Sequence, residues 1–179
     1  MAGDASVDEL DLATMRAKEL LRLYGAILGE LARRKILTTN DNPIGGYGES
    51  LVARAFAGER QRNSSAGFDV LLPDGVRLQV KTRWLPIERG LRQLSAIRKL
   101  ESGAFDYIVA VLLDKNFDIT EAYQIPHAAV LRLATFAAHT NSHRLVMTPN
   151  VCRDAECMDI TEKMRAADEY FIGPAIAPK

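Results

Sequence analysis

The sequence predicts an α/β domain: a central mixed β-sheet flanked by helices and preceded by a long N-terminal helix. Three observations carry this reading. Residues 68–83 alternate apolar and polar side chains about a Pro-Asp-Gly turn, and residues 105–113 form an almost unbroken apolar run. Segments with helical periodicity come before and after both. Residues 1–37 are read as the N-terminal helix, for packing or dimerisation, and residues 38–179 as the domain proper.

Each element has its own signal. Residues 7 to about 35 contain no proline, and Leu20, Tyr24, Ile27, Leu28 and Leu31 fall on one face of a helix, while Arg22, Glu30, Arg33 and Arg34 lie largely elsewhere. That stripe needs a partner surface, either the chain's own core or a second copy. A run of cap-forming residues then leads to Pro43, which opens a second helix to about residue 57, ended by Gly58. Residues 61–66 are polar and turn-like. Residues 68–72 and 76–83 form a hairpin, 105–113 a buried strand, and 119–125 its neighbour. Pro126 opens a helix to about residue 137, residues 145–147 form a last short strand, and residues 161–170 a final helix.

The hairpin turn fixes a register. Pro73 and Gly75 suit a three-residue loop that pairs Leu72 with Val76, so Asp69 faces Gln79 and Phe68 faces Val80. One face is then Phe68, Val70, Leu72, Val76, Leu78 and Val80. The other carries Asp69, Leu71, Arg77, Gln79, Lys81 and Arg83. A carboxylate, an amide oxygen and an ammonium group share that second face. Hard oxygen ligands for a divalent ion are available from Asp69, the Gln79 side chain and a nearby backbone carbonyl. Lys81 is placed to hold a water or to steady charge on a phosphodiester, and Glu49, on the preceding helix, completes the set directly or through water.

These residues carry a resemblance. Phe68-Asp69-Val70, a short turn and Gln79-Val80-Lys81, preceded by Glu49 in a helix, resemble the PD-(D/E)XK nuclease superfamily in the D…QxK form of Mrr-type restriction endonucleases. The helical Glu is similar to that of archaeal Holliday-junction resolvases, and the same order of motifs resembles an uncharacterised bacterial branch. The resemblance spans residues 43–113. It implies a restriction-endonuclease-like core and a Mg2+- or Mn2+-dependent endodeoxyribonuclease. Asp69, Gln79 and the Val80 carbonyl would be metal ligands, Lys81 the catalytic lysine and Glu49 the helix acid. Gln79 replaces the commoner carboxylate, so the metal is expected to be held more weakly.

Charge and composition narrow the alternatives. The chain has 179 residues, 47% apolar and 26% charged, and no run nears the roughly 18 apolar residues of a membrane span. The first residues lack the features of a signal peptide and there are two cysteines, so a cytoplasmic protein is expected. The 23 basic and 23 acidic residues cancel, which argues against indiscriminate coating of nucleic acid. Locally the balance differs: Arg77, Lys81, Arg83, Arg89, Arg92, Arg98 and Lys99 stand against the single acid Glu88. This basic stretch is expected to position a DNA backbone without reading its sequence. Trp84, the only tryptophan, is expected to cap the strand end rather than stack on a base. His139, His143, Cys152 and Cys157 have the composition of a zinc site in an unusual order. Two rivals to the nuclease remain: a nuclease-like module that binds nucleic acid without cutting it, and a non-enzymatic protein that dimerises through the first helix.

Overall fold

The computed structural model describes residues 11–15, 17–37, 43–61, 67–85 and 91–169. After a single 3-10 turn at Leu12–Thr14, the chain forms α1 (Ala17–Arg33), α2 (Pro43–Ala55), β1 (Glu59–Arg60), β2 (Val70–Leu71) and β3 (Arg77–Trp84). It continues through β4 (Tyr107–Leu113), β5 (Ile119–Pro126), α3 (His127–Leu133), β6 (Thr135–Ala137) and β7 (Ser142–Arg144) to α4 (Pro149–Cys152), β8 (Met158–Asp159) and α5 (Thr161–Asp168). Six strands form one mixed sheet in the order β1-β2-β3-β4-β5-β8, in which only the β3–β4 pair is parallel. Strands β6 and β7 form a separate antiparallel pair.

Both faces of the large sheet are covered. On one, Leu51 and Val52 of α2 and Met164 of α5 pack on Val70, Leu78, Val80, Val109 and Val111. On the other, Leu94, Ile97, Leu100 and Phe105 pack with Ile108, Ala110, Leu112 and Val130 of α3. The connection from β3 to β4 supplies much of that second layer. Its described part is extended apart from one 3-10 turn at Leu100–Ser102 and is held by Leu94 N–H to Leu145 O at 2.9 Å and a reciprocal pair between Ile97 and His143 at 3.0 and 2.7 Å.

The hairpin register is the one the turn predicts: Val70 pairs with Leu78, Leu71 with Arg77, and Leu72 N–H reaches Val76 O at 2.9 Å. Gly75 takes φ +88°, a left-handed conformation that a side chain would strain. Several expectations are corrected. The helix expected from residue 7 is described from Ala17, because Thr14 bonds back to the Asp11 carbonyl through its hydroxyl at 2.9 Å and closes a separate turn. Residues 1–10, and residues 62–66 of the expected polar turn, lie outside the described residues. The helix after Pro126 ends at Leu133, and Thr135-Phe136-Ala137 become a strand, as β-branched and aromatic residues favour. The strand expected at 145–147 lies three residues earlier, at Ser142–Arg144, while Leu145 and Met147 are buried core. Phe68 packs in the cluster opposite to that of Val70 and Leu78, so the apolar face breaks at Asp69.

Helix α2 lies close on β3 because Gly48 has no side chain. A Cβ there would overlap the Thr82 hydroxyl and sit 2.9 Å from Thr82 Cβ. Ala in a helix interior is otherwise favoured over Gly by about 1 kcal/mol. Gly48→Ala is therefore expected to lower stability in urea unfolding by about 1–3 kcal/mol through overpacking, and Thr82→Ala in the same chain is expected to relieve the hydroxyl overlap and so part of that loss, the contact with the Cβ of residue 82 remaining. A Gly48→Ala variant more stable than the parent would contradict the close approach.

Candidate active site

The site lies where the β2–β3 ladder stops. Strand β2 is two residues long and β3 eight, so β3 outruns its partner. Asp69 marks the point of departure. Its N–H goes to Leu78 O at 2.8 Å, and its carboxylate Oδ2 accepts the Val80 N–H at 2.7 Å, in place of a main-chain partner. In an extended strand a residue directs its N–H and C=O to the same side. The Val80 carbonyl therefore faces the opening beside Asp69, where the sequence reading placed a third oxygen ligand.

Gln79 stands next to this opening. Its Nε2 donates to Gly67 O at 3.3 Å, which fixes the amide orientation, because the reverse would set two oxygens together. Its Oε1 is buried with no hydrogen-bond partner. A buried oxygen left unsatisfied is uncommon in folded proteins and is the kind of atom that a cation completes. With the Asp69 carboxylate and the Val80 carbonyl it makes a hard-oxygen set suited to Mg2+ or Mn2+.

Lys81 alternates with Val80 and so points to the face under the β3–β4 connection, where its Nζ donates to Ala96 O at 3.2 Å. Desolvation lowers the affinity of Lys81 for its proton, and Arg98 adds to this, against the opposing effects of Asp69 and Glu49. Desolvation likewise lifts the Asp69 carboxyl above the ordinary carboxylate range; Glu49 adds to the rise, while the Val80 N–H, Lys81 and Arg60 oppose it. Asp69, Lys81 and Glu49 thus sit within electrostatic reach of one another, with Arg98 in reach of Lys81, although they come from an extended linker, a strand, a helix and a crossover.

Arg60 is the residue that the sequence reading missed. Strand β1 is the sheet edge next to β2, and from it Arg60 reaches back to α2: Nη2 meets Glu49 Oε2 at 2.9 Å and Nη1 meets Ser50 Oγ at 2.6 Å and Lys35 O at 3.1 Å. The side chain is 16% exposed. Glu49 is therefore the partner of Arg60, which favours its action through water over direct metal binding. No local signal marks Arg60, since its partners lie 10 to 25 residues away.

The basic stretch is less free than the sequence suggests. Arg77 is held by Asp106 in a two-pronged pair at 2.8 and 3.1 Å, and Arg92 by Glu121 at 2.7 and 2.6 Å. Arg83 donates to Leu91 O at 3.0 Å. Arg98 and Lys99 are exposed, and Arg89 lies outside the described residues. Trp84, the last residue of β3, is exposed and stacks on Phe117, with ring centroids 5.1 Å apart.

The four residues considered for zinc do not assemble. Among the described residues no three His, Cys, Asp or Glu side chains gather into a metal-holding group. His143 pairs with Glu101 at 3.3 Å, His139 is exposed, Cys152 lies 3.7 Å from Arg92, and burial pushes the Cys157 thiol up to about 11. A protonated thiol is a poor zinc ligand. Also among the described residues, no helix is long and apolar enough to cross a membrane.

No protein-family model matches this chain, and no curated protein matches it. The functional reading therefore rests on the residues and their geometry.

Asp69 gives that geometry a pH signature. A carboxyl whose folded-state pKa is raised supports the fold while protonated and loses that support as pH climbs through the ordinary value of roughly 4 and on through the raised one. Asp69→Asn keeps an oxygen for the Val80 N–H without the charge. Its stability relative to the parent is expected to rise between roughly pH 4 and pH 7, as followed by urea unfolding at each pH. A difference that stays flat or falls would show that the carboxylate is not desolvated.

Proposed function

We propose that this protein is a metal-dependent nuclease that hydrolyses DNA phosphodiester bonds, with the site organisation of the PD-(D/E)XK endonucleases. The observation that carries the proposal is the opening beside β3, where the Asp69 carboxylate, the Val80 carbonyl and the unpartnered Gln79 oxygen lie beside a desolvated lysine. Asp69 and Gln79, with the Val80 carbonyl, would hold Mg2+ or Mn2+. Such an ion, when bound, supplies a Lewis acid for the phosphoryl oxygen and a more acidic water.

The chain's own groups supply the rest. Lys81 spends one N–H on Ala96 O and keeps two more donors, for a water and for a non-bridging phosphate oxygen. Its lowered proton affinity suits proton exchange closer to neutral pH than an ordinary lysine allows. Arg98 brings a second cation beside Lys81 for the charge that accumulates on the phosphoryl group. Glu49, steadied by Arg60, stands ready to order a water. Lys99 lies next to Arg98 on the surface and is placed to contact the strand's backbone without reading bases.

A second reading is favoured by one specific observation. The Glu49–Arg60 pair balances a site carboxylate with a resident guanidinium, as a module that binds nucleic acid without cutting it would permit. That module would bind with affinity that falls steeply as salt rises and would need no metal.

Cleavage assays on duplex, single-stranded and branched DNA distinguish the two. The nuclease reading predicts cutting with Mg2+ or Mn2+ that chelation abolishes. Asp69→Ala and Lys81→Ala are each expected to slow it by at least about 100-fold, with thermal unfolding showing an intact fold. Salt-dependent binding with no cleavage of any of these substrates would leave the binding module in its place.

A further inference from the structure

Helix α1 carries an apolar seam that is open along most of its length among the described residues. Leu20, Tyr24 and Ile27 are 37%, 53% and 49% exposed, and Leu31 is half-buried. The rest of the chain meets this helix near its C-terminal exit, where Gly46 lies against the Ile36 carbonyl and Arg60 donates to Lys35 O. Single exposed apolar residues are ordinary, but four at 4-3-4 spacing form the seam of a coiled coil.

The seam is also palindromic. Turning a second copy end for end about a point between Gly25 and Ala26 sets Leu20 against Leu31, Leu23 against Leu28 and Tyr24 against Ile27. Each residue then meets an apolar partner. A parallel pairing would bring together two C-terminal ends that each hold Arg33, Arg34 and Lys35 against the single acid Glu30, which is already bound to Arg33 at 2.6 Å and Arg34 at 2.8 Å. The end-for-end arrangement separates those clusters and opposes the two helix dipoles.

We infer that α1 pairs antiparallel with α1 of a second copy of this chain. The helix has 17 residues and is about 26 Å long at 1.5 Å per residue. Two such faces bury on the order of 1,000 Å2, near the lower bound for a specific interface. The two-fold axis gives the dimer two copies of the Asp69–Lys81 site related as the two strands of a duplex are related. It also steadies the exit of α1 against which Arg60, and through it Glu49, is held. Pairing is read by mass and stands whether or not the chain cuts DNA.

Sedimentation equilibrium of the full chain between roughly 1 and 100 µM tests it. The parent is expected to shift from monomer to dimer across that range. Ile27→Glu and, at the most exposed position of the seam, Tyr24→Lys are each expected to weaken association by at least about 30-fold, with the melting temperature of the dilute monomer unchanged. A parent that stays monomeric throughout overturns the inference. So does a dimer that survives both substitutions, or a loss of melting temperature without a change of mass, which would place the seam against the chain's own residues.

Discussion

The bond from the Val80 N–H to the Asp69 carboxylate, at 2.7 Å, does two things at once. It satisfies a main-chain donor that β2 no longer reaches, and it fixes a carboxylate at the point where the sheet opens. Were β2 to continue beside β3, Val80 would bond to a backbone carbonyl, and its own C=O would be consumed in the ladder. The opening would then not exist. Because a side chain replaces a main chain there, the oxygen of Val80 is left facing a gap instead of a neighbouring strand, and the Gln79 side-chain oxygen nearby is buried without a partner. The packing of α2 depends on the same strand: Gly48 settles on Thr82 and thereby brings Glu49 to the edge of the opening.

Much of this was legible in the residues. The register of the hairpin came from the turn alone, since Pro73 and Gly75 admit few loop geometries and Asp74 Oδ1 closes the turn on Val76 N–H at 3.1 Å. Alternation then placed Gln79 and Lys81 opposite Leu78 and Val80. What alternation could not convey was its own failure at Asp69. Once a side chain takes over a ladder bond the period of two is lost, and Phe68 turns into the cluster on the other side of the sheet. The role of Arg60 was hidden for a different reason: Glu59-Arg60 reads as a polar link after a helix, and only the folded chain brings Glu49, Ser50 and the end of α1 around it.

The charge reading failed in a similar way. Counting along residues 76–99 gives a strong positive excess, but Asp106 and Glu121, each 29 residues from its arginine, neutralise two of those cations. A local count treats sequence neighbours as spatial neighbours, which a parallel strand pair with a long crossover does not respect. Among the described residues of this stretch, the cations that remain exposed, Arg98 and Lys99, are those on the crossover that lies over Lys81. The positive potential is therefore narrower than the sequence suggests and is centred nearer the site. Desolvation acts on the same groups: it raises the proton affinity of Asp69 and lowers that of Lys81, so both are less charged than they would be in water, and a cation bound beside Asp69 would reverse that for the carboxylate.

Whether the opening beside β3 takes a divalent ion decides the roles of Asp69, Gln79 and Val80. A crystal structure of the protein grown with Mn2+, with the ion located by its anomalous scattering, addresses this directly. The expected result is an ion within about 2.0–2.6 Å of the Asp69 carboxylate, the Gln79 side-chain oxygen and the Val80 carbonyl. Crystals saturated with Mn2+ that show no ion there, with the Glu49–Arg60 pair closed and Gln79 Oε1 bound only to water, would contradict it.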